Sequence, residues 1–177
     1  MCYFITLVVQ GADEASIAPV LTRHGRRARP ISNPSVAAIL QPGEVQFLTT
    51  VDHCDCATVL IERSTDRRAK QVDKLAKKRD WSPSKIERWL RDRETANVRA
   101  HARRHAQSSD SVELWTSLMG DLFAMRRVRK VGLLLHNYSG DVKTEAFEVT
   151  RASARFDHFV ARLLEIQDGE LLMTERS

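Results

Sequence analysis

Glycine is scarce, with seven in 177 residues, and no two of them stand in a phosphate-cradling pattern. G-x-G-x-x-G, the P-loop and the G-x-S-x-G elbow are all absent, as is any paired-carboxylate motif. A nucleotide-dependent enzyme is therefore not expected. Long hydrophobic runs are missing as well. The longest, Phe4–Val9 and Val131–Leu135, are strand-sized and far below the ~20 residues that a membrane-crossing helix needs. No basic region precedes the first run, which ends at Gln10 with Asp13 and Glu14 close behind. That is unlike a secretory signal, so the expected compartment is the cytoplasm of a bacterial-type cell. Cysteine is sparse and odd in number (Cys2, Cys54, Cys56), which argues against a disulfide framework and for reduced thiols.

What is present is apolar periodicity from end to end. The hydrophobic fraction is 42% and the charged fraction 29%, enough for an ordinary core in one domain over 1–177. Cys2–Gln10 (CYFITLVVQ) reads as a buried strand. A helix is expected from Glu14 to about His24, and a short one at Asn33-Pro34, where Asn supplies the cap and Pro the first turn. Val45–Val51 reads as a second strand and Ala57–Ile61 as a third. Asp110, followed by Glu113, resembles a capping box and opens the best amphipathic helix. That helix carries Leu114, Trp115, Leu118, Met119, Leu122 and Met125. Val131–Asn137 is expected as a core strand and Val142–Val149 as its hairpin partner. A last helix over Ser153–Ile166 and a strand over Glu170–Thr174 complete the chain. The order predicts an α+β fold, a mixed β-sheet packed by helices, with a basic helical hairpin inserted at 66–106.

Charge is the most uneven feature. Between Arg63 and Arg104 there are fifteen Lys or Arg against six Asp or Glu, a local +9. The whole chain is +5, so the remainder carries −4. One expected helix carries Arg67, Arg68, Lys70, Lys74, Lys77, Lys78 and Arg79; the next carries Lys85, Arg88, Arg91, Arg93, Arg99, Arg103 and Arg104. Such a face can dock an anionic partner, either nucleic acid, by counterion release, or an acidic protein. Part of its charge is also self-paired at helical spacing, as in Asp66–Lys70 and Asp73–Lys77. The leading expectation is a non-enzymatic binding protein that engages an acidic regulatory or toxin-neutralising partner, or nucleic acid, through this face.

A different chemistry is offered by Cys2, His53, Cys54, Cys56 and His136. Thiolate sulfur and imidazole nitrogen suit zinc, and the cysteines fall near strand ends that can be neighbours. The alternative expectation is thus a small metal- or thiol-dependent enzyme; the same cysteines also read as small buried residues. The Met1-Cys2 start resembles that of class II glutamine amidotransferases and of self-crosslinking abasic-DNA-sensing proteins. In those families Cys acts as an N-terminal nucleophile. The resemblance ends at this dipeptide, because Tyr3-Phe4-Ile5 stands where those families place a glycine.

Overall fold

The computed structural model describes residues 2–50, 54–56, 58–61, 82–89, 91–92 and 110–175. The chain divides into two compact units, one of Met1–Ile61 with Ser109–Ser177 and one of Glu62–Ser108.

The first unit is built on a six-stranded mixed sheet in the order β2-β3-β1-β4-β6-β5. Its strands are β1 (Cys2–Gln10), β2 (Arg29–Pro30), β3 (Glu44–Leu48), β4 (Lys130–Tyr138), β5 (Thr150–Ser153) and β6 (Glu170–Glu175). Every pairing is antiparallel except β5 with β6. β1 and β4 pair along their whole length, from Cys2 opposite Tyr138 to Gln10 opposite Lys130. They are central and covered on both faces, which is why their sequences read as unbroken apolar runs instead of alternating ones.

One face packs α1 (Glu14–Arg23), α3 (Val112–Ala124) and α4 (Phe156–Leu163) around Ile5, Leu7, Leu133 and Leu172. Helix α3 buries Trp115, Leu118, Met119, Leu122 and Phe123. At roughly 1.5–3 kcal/mol for each fully buried large apolar side chain, that stripe is what holds the helix to the sheet. The other face carries a smaller cluster of Val8, Val36, Leu134, Leu171 and Met173. The short α2 (Pro34–Ala37) covers part of it, with Asn33 capping the N–H groups of Ser35 and Val36 as expected. Gly132 lies on this face opposite Met173, where an added Cβ would run into the Met173 sulfur.

Three local expectations are corrected. Residues 58–61 form turns and not a strand: Thr58 N–H bonds to the Asp55 carbonyl and Ile61 N–H to that of Thr58, while Val59 N–H goes to Asp110 and Leu60 N–H to the Thr58 hydroxyl, so no donor is left for a ladder. Residues 142–149 do not pair as a hairpin with β4. Phe147 N–H donates to the Ser35 hydroxyl, and Phe147 and Val149 lie over the smaller cluster. The strand that follows is Thr150–Ser153, parallel to β6. Finally, the cap of α3 is Ser111, whose hydroxyl accepts from Leu114 N–H, because Asp110 is used elsewhere. Of the expected basic hairpin, residues 83–89 are helical; nearly all the rest lies outside the described residues. Among the described residues no helix is long and apolar enough to cross a membrane.

Candidate metal centre

β3 pairs with β1 only from Thr6 to Gln10, so the first residues of β1 need other partners along that edge. The segment 54–56 supplies them. Asp55 N–H donates to the Tyr3 carbonyl at 2.7 Å, and the Asp55 carboxylate accepts from Ile5 N–H at 2.9 Å. Tyr3 N–H in turn donates to Cys56 Sγ at 3.3 Å. A carboxylate and a thiol thus stand where a neighbouring strand would place carbonyls.

The consequence is a convergence of sulfur. The Sγ atoms of Cys2, Cys54 and Cys56 all lie within 4.8 Å of one another, each half-buried, and the three thiols are free. Sulfurs sharing a zinc ion at ~2.3 Å sit roughly 3.8 Å apart in a tetrahedron, so ligation needs a contraction of about 1 Å at most. Burial pushes the Cys56 thiol up to about 12, and the Cys54 and Cys2 sulfurs add to the shift. This crowding disfavours the Cys56 thiolate, and a bound cation removes that penalty.

Behind the thiols lies a buried ionic cluster. Arg26, only 3% exposed, donates to Asp55 Oδ1 at 3.0 Å and to the Thr49 carbonyl at 3.2 Å. Its other terminal nitrogen is 3.4 Å from Asp110, and its guanidinium lies 4.1 Å from the Trp115 ring centroid. Asp110 also accepts from Val59 N–H. Burial raises the Asp55 carboxyl, while Arg26 and the Ile5 N–H draw it back. One cation thereby ties the 54–60 segment to the start of α3.

His136 is not among the converging ligands. It stacks on Phe147 with ring centroids 3.6 Å apart and 9° between planes. Its Nδ1 is 3.3 Å from Asp168 and its Nε2 is 3.9 Å from Glu145. The Gly140 N–H, with the N–H and hydroxyl of Ser139, holds Glu145 below the usual carboxylate range against its desolvation. The two acids flank opposite ring nitrogens, so His136, Asp168 and Glu145 do not converge on one ion. On the same sheet face, a cleft of about 600 Å³ is lined by Lys130, Arg151, Arg155 and Glu175. Its cations already face carboxylates: Lys130 with Glu175, Arg151 with Glu44 and Arg155 with Asp157.

Of the residues singled out from sequence, Cys2, Cys54 and Cys56 are brought together and His136 is not. His53 lies outside the described residues, as do Arg67, Arg68, Lys70, Lys74, Lys77, Lys78, Arg79, Arg99, Arg103 and Arg104. Lys85, Arg88 and Arg91 are exposed on or just after the 83–89 helix, with Arg91 3.9 Å from Glu87. Sequence reasoning missed Arg26, Asp55, Asp110 and Trp115. The one local signal was an acid between two cysteines in a segment that otherwise packs apolar residues. No known protein family, curated protein or solved structure matches the chain.

Proposed function

We propose that this is a metal-binding protein whose Cys2, Cys54 and Cys56 thiolates hold a thiophilic cation, Zn²⁺ or Cu⁺. The observation that supports the reading is the approach of three sulfurs within 4.8 Å from positions 2, 54 and 56. Thiolate-rich sites select these ions over hard cations such as Mg²⁺ or Ca²⁺, which take oxygen ligands. Three thiolates leave the fourth tetrahedral position of zinc for a further ligand or water.

Anaerobic titration of the reduced protein with Co²⁺ tests it. The expected result is one equivalent bound, with a sulfur-to-cobalt charge-transfer band that Zn²⁺ abolishes. Cys2→Ser, Cys54→Ser and Cys56→Ser should each weaken binding. A titration without that band, or one unchanged in the three variants, overturns the reading.

A second reading is favoured by the local +9 between Arg63 and Arg104. In it the basic segment docks a polyanion, nucleic acid or an acidic protein, independently of the metal. Anisotropy with labelled DNA and RNA should show affinity falling steeply with log salt, and falling further on reversal of Lys77, Lys78 and Arg79 to Glu. Nucleic-acid binding indifferent to both removes nucleic acid as the partner.

A further inference from the structure

We infer that Asp55 is the positioning residue of the thiol centre: its carboxylate, held between the Ile5 N–H and the Arg26 guanidinium, sets the Cys54 and Cys56 backbone against β1. The inference rests on the metal-centre reading above. A one-residue gap between two ligands is demanding. Both sulfurs must reach one ion while the residue between them turns away, and a chain free to rotate there satisfies this in few of its conformations.

Asp55 removes that freedom in three directions at once. Its N–H is fixed to the Tyr3 carbonyl, one carboxylate oxygen to Ile5 N–H and the other to Arg26. Its side chain is 2% exposed, so these bonds are shielded from water and each leaves no ready substitute. The anchor points are themselves rigid. Ile5 is a fully buried residue of the central strand, and Arg26 is seated on Trp115. Cys2 is a part of β1 and needs no such help. Asp55 therefore brings the two loop ligands to the one on the strand, a role in which outer-shell carboxylates typically change metal affinity by roughly 10–100-fold.

Asp110 provides the control, because it contacts the same Arg26 but is not placed between ligands. Competitive Zn²⁺ titration against a chromogenic chelator, with circular dichroism to verify folding, compares the wild type with Asp55→Asn and Asp110→Asn. Asp55→Asn should bind Zn²⁺ about 10–100-fold more weakly and alter the Co²⁺ d–d bands. Asp110→Asn should stay within about twofold of wild type, even if it unfolds at a similarly reduced temperature. Equal affinity in wild type and Asp55→Asn, or equal losses in both variants, overturns the positioning role. A wild type that binds no metal overturns instead the reading on which it rests. Should Asp55→Asn fail to fold, amide exchange of the wild type decides: Ile5 N–H should be protected already in the metal-free reduced protein. Fast exchange that slows only on metal addition overturns the inference.

Discussion

Replacing Arg26 by Met removes the only cation that the structure places between Asp55 and Asp110 among the described residues. It leaves a side chain of similar length against Trp115. Wild-type Arg26 and Asp55 side chains are 3% and 2% exposed, and that of Asp110 is 8% exposed. Neither carboxylate can therefore turn to water without opening the core. Removing one partner of a buried ion pair typically costs about 3–5 kcal/mol, most of it the penalty of the charge left behind. The hydrogen bond to the Thr49 carbonyl adds about 1 kcal/mol. Partial relaxation offsets some of this, so a loss of about 4 kcal/mol at pH 7.5 is expected, a large part of the ~5–15 kcal/mol that a domain commonly has. The pH dependence carries the sign. Burial raises the Asp55 carboxyl and Arg26 opposes that shift; without Arg26 the folded form takes up a proton at a higher pH. The deficit should therefore be greatest at neutral and alkaline pH and shrink as the medium is acidified towards pH 5. Urea unfolding of wild type and Arg26→Met at pH 7.5 and pH 5, with the triple variant Arg26→Met/Asp55→Asn/Asp110→Asn, measures all three quantities. The triple variant should regain part of the loss, because no charge is left uncompensated. A deficit below about 1 kcal/mol, or one that does not change with pH, refutes the electrostatic account of this cluster.

Three further outcomes follow from the same structure. Gly132→Ala forces a Cβ against the Met173 sulfur and the Leu172 carbonyl, so a loss of about 1–3 kcal/mol by overpacking is expected in thermal or urea unfolding. Glu44, its side chain fully buried, would be raised by desolvation, but the Arg151 bonds and the Gln41 N–H hold it below its ordinary value. That stabilisation is present above the ordinary carboxyl value and lost as pH falls through the lowered one, so Glu44→Gln should flatten the acid limb of the stability profile and lower stability at pH 7. The Cys56 thiol, pushed up to about 12 by burial, is protonated at neutral pH in the metal-free protein. Zn²⁺ binding should therefore release protons, strengthening by about tenfold per pH unit for each proton displaced, which calorimetry in two buffers of different ionisation heat reads directly.

The legible parts of the fold were those whose signal is local. β1 and β4 carry unbroken apolar runs, α3 carries a 3.6-residue stripe, and Asn33-Pro34 is a cap with its own chemistry. The elements that escaped have no local signal or a misleading one. Thr150–Ser153 is a short edge strand with no buried position, held by its parallel register with β6 and by the bonds of Arg151 to Glu44, neither of which a local pattern announces. Residues 142–149 alternate like a strand, yet Phe147 and Val149 use that alternation to cover the second face of the sheet. The thiol centre was half legible. The residue types and the strand-end positions of Cys2, Cys54 and Cys56 pointed to soft-ligand chemistry. His136 shares their strand position in the sequence, but β4 places it opposite Phe4 and beside its own carboxylates. Arg26, Asp55 and Asp110 were illegible because a buried ion cluster spanning positions 26 to 110 has no period or spacing. It exists only once β3 stops short of the beginning of β1.

The central claim, a metal held by three thiolates at one end of β1, is tested most directly by X-ray absorption at the zinc edge on the reduced, reconstituted protein. The account predicts one zinc per chain with three sulfur scatterers at about 2.3 Å and a fourth lighter one, falling to two sulfurs in Cys54→Ser. A first shell made only of nitrogen and oxygen, or a sulfur count that Cys54→Ser leaves unchanged, would contradict it.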